Sequence, residues 1–356
     1  MQLKELTEIL NLTKTPQTFK KYESFISLRK SPITKKTLDE AFRFYQLQDE
    51  VEFYNHCLGL IEEIKKNKVL KKAILLLKYI SFEAQNDDFL EMEYWKANPP
   101  RVDISALVLL SAVNQHKKAM KGLDTKQQAH QIIGIRDTIL RGLKLYKING
   151  ISYGSLAWGI RFVRQLLMKF GRLQFEFSCY HDPYIILQNK KGEKTIVPAD
   201  EKAKIKKSDI VIQPGDFCIN IHIDRNGRLE PKSVNTSLKE SQTKLKKYFP
   251  LLKDKHLIYR CHSWLLSQQM GYFLTPDRHI MYFQNLFFIL PPYSEDTGDD
   301  FFRFLFNTQK SKPDFSLENL PEDTSLRKKV KEYLLNGKQV QEGRGLIFED
   351  VIDKIG

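Results

Sequence analysis

Apolar residues recur every three or four positions through roughly the first 145 residues of this 356-residue chain. That spacing predicts amphipathic helices over residues 15–26, 37–47, 50–65 and 69–84. Thr37 with Glu40 resembles a capping box and sets an expected start at Thr37. Asn98-Pro99-Pro100 breaks the pattern, and helices follow over 104–121 and 126–147, the second interrupted by Gly134 and Gly142. Asn149-Gly150-Ile151 marks the expected boundary between a helical N-terminal domain, 1–147, and a second domain, 148–356. One more amphipathic helix, 153–170, opens that second part.

From Gly171 the period changes. Arg172-Leu173-Gln174-Phe175-Glu176-Phe177 alternates as a strand does. Tyr184-Ile185-Ile186-Leu187 is a short apolar run ahead of the turn Asn189-Lys190-Lys191-Gly192, with 194–198 as its hairpin partner. Gln213-Pro214-Gly215-Asp216 is a turn that feeds a strand over 217–223. Asp224-Arg225-Asn226-Gly227 ends it, Pro231 opens a basic helix through Tyr248, and 257–264 forms the next strand. Two strands joined by a crossover helix run parallel, and ligands bind beyond their carboxyl ends. Farther on, 301–306 reads as a strand, 324–336 as a short charged helix ending at Gly337, and 340–347 as an edge strand. The expected fold class is α+β: a helical N-terminal domain, then a mixed β-sheet domain with flanking helices.

Composition narrows the partners. Hydrophobic content of 42% and aromatic content of 12% suffice for a packed core. No apolar run reaches the roughly 18 residues a membrane helix needs, residues 283–292 being too short. The charged start of the chain carries no signal-peptide pattern, so a cytoplasmic protein is expected. The formal charge of +14 can attract a polyanion. The lysines are scattered, however, and no zinc-finger, RRM or KH signature accompanies them, so nucleic acid is not the expected partner. Cys57, Cys179, Cys218 and Cys261 show neither CxxC pairing nor ligand spacing. Asp296, Asp299 and Asp300 lack calcium-loop spacing and read as a solvated acidic loop; no metal site is expected.

His222 is the leading candidate for chemistry. Its imidazole points opposite to Ile221 and Ile223 just before a turn, and a pKa near 6.5 suits proton exchange with an amine; the competing reading is a hydrogen-bonded structural histidine. Glu176 faces away from Phe175 and Phe177 and can act as a base, or else forms a salt bridge with Arg172 or another strand's cation. His262 and Ser263 end the second strand and suit ligand binding, since Ser263 lacks a nucleophile elbow. Arg225, Gly227, Arg228 and Lys232 surround a helix start, where unpaired N–H groups and fixed positive charge favour phosphate; an ordinary basic turn is the alternative.

Five strings carry a family resemblance. They are Phe170-Gly171-Arg172-Leu173-Gln174-Phe175-Glu176; Gly215-Asp216 leading into Ile221-His222-Ile223; the helix over 234–249; Cys261-His262-Ser263-Trp264-Leu265-Leu266; and Leu320-Pro321-Glu322-Asp323-Thr324-Ser325-Leu326. Together they resemble the two-part N-acyltransferase family, in which a helical domain precedes a GNAT-like acyltransferase domain. The resemblance implies acyl transfer from acyl-CoA, acetyl-CoA included, to an amine of a small molecule or peptide. It also implies a gap between the fourth and fifth strands for the pantetheine arm, with pyrophosphate on the turn from Arg225 to Lys232. His222 or Glu176 would then be the base, and Tyr272 or Tyr282 the acid for the leaving thiolate. One departure stands in the string: the Gln/Arg-x-x-Gly-x-Gly/Ala signature of that fold is absent, Gly227 stands alone, and Asp224 follows Ile223. The competing function class is a non-catalytic basic module that holds a ligand or polyanion on the same fold. The sequence carries no signal of oligomeric state.

Overall fold

The computed structural model describes residues 33–82, 101–145, 147–204, 206, 209–224, 227–292, 297–308 and 316–355. The helix expected at 15–26, the breaker at 98–100, Asp296 and the pair Arg225-Asn226 lie outside the described residues. The chain divides into two compact units after Met168.

The regular elements of the first unit's described residues are helices up to Val163. Its helices are α1 (Lys35–Phe44), α2 (Val51–Lys66), α3 (Lys68–Phe82), α4 (Val102–Ser111), α5 (Val113–Ala119), α6 (Thr125–Leu140) and α7 (Tyr153–Val163). Helix α1 begins two residues before the expected start at Thr37, because the Thr34 side chain already accepts the Thr37 N–H. Helix α4 is buried from Ile104 through Ser111 on every side and forms the centre of the bundle. Leu156, Ile160, Phe162 and Val163 of α7 belong to this same core, so α7 packs as a member of the helical unit.

The helix expected over 153–170 stops early. Arg164 ends it, Gln165 takes φ 56°, and the chain re-forms as strand β1 (Leu167–Phe170). A short apolar run such as Leu166-Leu167-Met168 fits either period, and pairing of β1 beside β2 decided it.

The second unit contains two sheets. The larger has the order β1-β2-β6-β7-β9-β8, where β2 is Leu173–Cys179, β6 Phe217–Ile223, β7 Ile258–Ser263, β8 Phe288–Ile289 and β9 Gly343–Phe348. The smaller is β4-β3-β5, with β3 Tyr184–Gln188 and β4 Lys194–Pro198 forming the expected hairpin, and β5 Ile210–Ile212. Its Ile186 and Ile212 pack with Cys218, Leu346 and Phe348 of the larger sheet. Helix α8 (Pro231–Tyr248) crosses from β6 to β7 and buries Val234, Leu238 and Leu245. The Ser241 hydroxyl of α8 hydrogen-bonds that of Tyr259 on β7 at 3.2 Å. The remaining helices are α9 (Met270–Phe273), α10 (His279–Asn285), α11 (Ser325–Leu335) and α12 (Glu349–Lys354).

Two sequence expectations change here. Strand β9 is not an edge: it lies between β7 and β8 with all six residues buried. Residues Phe301–Leu305 form a π-helical turn rather than a strand, because Phe301, Phe302, Leu305 and Phe306 all turn into one core with Met270, Phe273, Val330 and Leu334. The string Leu320–Leu326 turns out to build a helix start. Thr324 caps α11, and Lys331 closes back onto the carbonyls of Glu318 and Leu320.

One ladder is incomplete. Strand β2 pairs with β6 antiparallel over seven residues, and β7 pairs with β9 over six. The parallel seam between β6 and β7 holds only Ile219 with Tyr259 and Asn220 with Arg260. Beyond those pairs, 221–223 and 261–263 continue without pairing across the seam. The turn Trp264–Leu266 then folds over β9, where a Cβ on Gly343 would lie 1.9 Å from the Leu266 carbonyl oxygen; only glycine fits there.

In the helical unit, His116 is fully buried and hydrogen-bonds Tyr45 through Nδ1 at 3.2 Å. Burial depresses its pKa to about 4. A depressed histidine pKa means the unfolded chain binds the proton first, so this stability is complete above pH 6.5 and is lost as pH falls toward 4. The expected loss is roughly 3 kcal/mol over that window. His116→Gln should flatten the pH dependence of α4 and α5 amide protection measured by hydrogen exchange between pH 6.5 and 4.

Candidate active site

Alternation along the strands puts one set of polar residues on one sheet face. The register aligns Gln174 with His222 and Glu176 with Asn220, then Asn220 with Arg260 and His262 with Arg344. Gln174, Glu176, Asn220, His222, Arg260, His262 and Arg344 therefore share a face, which the incomplete seam crosses. Phe175, Ile219, Ile221 and Tyr259 occupy the opposite face; Phe175 and Tyr259 meet edge to face.

His222 and Glu176 were rival bases in the sequence; the fold joins them. They are diagonal neighbours on β6 and β2, and His222 Nε2 lies 2.7 Å from Glu176 Oε2. The carboxylate side chain is 14% exposed and the imidazole 31%. The imidazole is thus the more accessible member of the dyad. An ionised Glu176 fixes the ring orientation and the tautomer with hydrogen on Nε2.

On the other side of the seam, Arg260 is held by Asp182, with Nε and Nη2 each donating at 2.6 Å to its carboxylate. Arg344 Nη1 donates to the same carboxylate at 2.9 Å, and Arg260 Nη1 reaches Asn220 Oδ1 at 3.5 Å. Asp182 is completely buried. Burial works to raise its pKa, but the hydrogen bonds and charge of Arg260, then of Arg344, hold it below the ordinary carboxylate range. This cluster sits at the last paired position of the seam. The sequence offered no sign of it, since Asp182 lies in the loop before β3, far along the chain from both arginines.

The turn that precedes α8 is shaped from below. Asp224 is buried and paired with Lys169 of β1, which neutralises the negative charge that follows β6. Gly227 takes φ 93° and is exposed, as are Arg228 and Lys232. The N-cap residue Glu230 places no side-chain acceptor on the helix amides, and Pro231 occupies the first turn. Arg225 lies outside the described residues.

The other nominated residues are placed differently. Ser263 is buried, and its Oγ accepts the Leu265 N–H at 3.2 Å, capping the turn that ends β7. His262 is exposed on the dyad's face. Tyr282 donates its hydroxyl to Asn235 of α8 at 2.8 Å, tying α10 to α8. Tyr272 is 73% exposed and stacks on Tyr333. Cys218 and Cys261 are buried, and burial pushes each thiol up to about 12, which keeps them out of nucleophilic chemistry. Among the described residues no group of His, Cys, Asp and Glu could hold a metal, and no helix is long and apolar enough to cross a membrane.

Removing the Asp182 charge leaves Arg260 and Arg344 buried without their shared carboxylate. Asp182→Asn should therefore lower unfolding stability by about 3–5 kcal/mol. Urea denaturation checks this; a shift below about 1 kcal/mol would show that the cluster is not what holds the seam.

Comparison with known proteins bears on the family and the fold. The model for the GNAT-like C-terminal domain matches residues 167–347. No curated protein matches the chain significantly. The fold is similar to the crystal structure of an acyltransferase in complex with decanoyl-CoA and teicoplanin, at TM-score 0.64 and 17% identity, covering 97% of this chain and 94% of that one. It is also similar to an acyltransferase mutant in complex with octanoyl-CoA, at TM-score 0.64 and 16% identity over the same shares. A complex with decanoyl-CoA alone aligns at TM-score 0.58 and 16% identity, covering 97% and 93%. The α+β architecture read from the sequence, a helical region followed by a mixed-sheet domain, is thus the architecture of these solved structures. By the domain that fills its second half, the chain belongs to the GNAT-like C-terminal domain family.

Proposed function

We propose that this protein transfers an acyl group from acyl-CoA to an amine of a small molecule or peptide. The observation that carries the reading is the seam between β6 and β7, which stops pairing at Asn220 and Arg260 with the His222–Glu176 dyad on its lip. An extended pantetheine arm suits such a slot, because its amides can pair with strand backbone as an added strand would. The solved structures of similar fold hold octanoyl-CoA and decanoyl-CoA, which supports a thioester donor. Two of them also hold teicoplanin or 10C-teicoplanin, which supports an acceptor larger than a single amino acid.

The chemistry follows from the dyad. With Nε2–H directed at Glu176, the ring's accepting nitrogen is Nδ1, which takes the proton from the acceptor ammonium, and the imidazolium that forms is stabilised by the adjacent carboxylate. The free amine attacks the thioester carbonyl, and the C–S bond breaks as the amide forms. The leaving thiolate takes a proton from Tyr282, whose hydroxyl exchanges its bond to Asn235 for one to sulfur, and the second proton that the attacking nitrogen sheds as the amide forms returns to the Tyr282 phenolate through water. Gly227, Arg228 and Lys232 lie where the diphosphate would meet the start of α8, with Arg225 beside them in the sequence. His262 and Ser263 end β7 at the opposite lip, Ser263 acting through the turn that it caps. The chain's charge of +14 speeds the encounter with a polyanionic donor. The comparisons lend no support to the alternative, a binding module without catalysis.

Thiol release from acetyl-, octanoyl- and decanoyl-CoA with a panel of amines tests the reading. Saturable, amine-dependent release is expected, with His222→Ala lowering kcat/KM by about 10²–10⁴. Glu176→Gln should cost less than His222→Ala, and the double variant no more than His222→Ala alone, because the two act as one unit. Arg228→Ala should raise KM for acyl-CoA severalfold with kcat little changed, an effect that fades at high salt. No saturable binding of any acyl-CoA by the wild type would end the proposal.

A further inference from the structure

The turn before α8 lacks the glycine-rich signature that shapes a pyrophosphate loop, yet it is held in a defined form by a residue of the turn between β1 and β2. Arg172 lies in the turn just before β2, next to the left-handed Gly171 at φ 57°. Its Nη2 donates to the Gly227 carbonyl at 2.8 Å and its Nε to the Arg228 carbonyl at 3.0 Å. Its backbone N–H donates to Ser237 Oγ at 2.8 Å, and Ser237 Oγ donates to the Ser233 carbonyl, so the same residue fixes the first turns of α8. The third guanidinium nitrogen, Nη1, is buried with no hydrogen-bond partner among the described residues. Burial lowers the Arg172 pKa and the nearby Asp224 charge opposes that effect.

Two consecutive carbonyls drawn to one guanidinium have a geometric consequence. Every described peptide bond is trans, and in a trans peptide the N–H points opposite to the C=O. The amides of Arg228 and Leu229 are therefore directed away from Arg172, side by side, as in an anion-binding loop. In the family's usual string, glycines allow the loop backbone to adopt that arrangement unaided. Here Gly227 supplies one flexible position, and the arginine imposes the rest.

We infer that Arg172 is the positioning residue of the pyrophosphate turn: it sets the 227–229 backbone so that its amides receive the diphosphate of CoA. The inference rests on the acyl-CoA reading above. Arg172 does not itself reach the diphosphate; it acts through the peptide planes. A lysine keeps the charge but cannot bond two carbonyls in a fixed fork, so charge and shape can be separated.

The experiment is calorimetric titration of octanoyl-CoA and of S-octanoyl-pantetheine, which keeps the thioester and the arm but lacks the diphosphate, into wild type, Arg172→Lys and Arg172→Gln. Loss of the paired, charge-assisted bonds should weaken octanoyl-CoA by about tenfold or more in both variants. Affinity for S-octanoyl-pantetheine should change less than about twofold. Arg172→Lys binding octanoyl-CoA like wild type would overturn the inference, as would parallel losses for both ligands. If neither variant folds, a crystal structure of the wild type with CoA decides. Diphosphate against the amides of Arg228 and Leu229 sustains the inference, and diphosphate elsewhere ends it. Wild-type protein that binds neither ligand defeats the acyl-CoA reading itself, whereas binding of both with an unchanged ratio in the variants defeats only the role of Arg172.

Discussion

The buried carboxylate of Asp182 gathers two arginines beside the point where the β6–β7 ladder ends. It takes two hydrogen bonds from Arg260 and one from Arg344, and Arg260 is the last residue of β7 that pairs with β6. A carboxylate completely removed from water is tolerable only with such partners, because burying an isolated ion costs many kcal/mol. The ion cluster thus locks β7 to β9 and to the loop before β3. Arg260 Nη1 also reaches Asn220 of β6 at 3.5 Å, and the β6–β7 pairing ends at that position.

What lies around that opening follows from strand alternation. Asn220 and His222 share a face of β6, and Glu176 on β2 falls diagonally across from His222. No long-range design beyond register is needed to bring the carboxylate to the imidazole. The same register places His262 and Arg344 on that face across the gap. The opposite face is filled by Phe175, Tyr259 and the α8 side chains, so a ligand entering the slot would have a wet side and a dry side. The basic turn at the head of α8 completes the arrangement, its backbone set by Arg172 and its negative residue, Asp224, neutralised by Lys169.

Much of the fold was readable from period alone. The hairpin of β3 and β4, the turn at 213–216, helix α8 from Pro231 to Tyr248 and helix α11 before Gly337 stand where the residues implied. Failures fell where an apolar run fits two periods. Leu167 to Phe170 became a strand, and Phe301 to Leu305 a π-helical turn, because each settled into whichever core would bury it. Strand β9 was misjudged as an edge, since the number of its neighbours depends on where β8 docks.

The sequence by itself determined the helical first part, the strand–turn–helix–strand unit from Phe217 to Ser263 and the candidacy of His222, because these rest on local spacing and turn chemistry. Only the tertiary structure decided that Glu176 partners His222, that Arg172 reaches the carbonyls of Gly227 and Arg228, and that Asp182 gathers Arg260 and Arg344. Each of those contacts joins residues 46 or more positions apart. Register and loop closure set such distances, and a one-residue slip in any strand would send every one of these side chains to the other face.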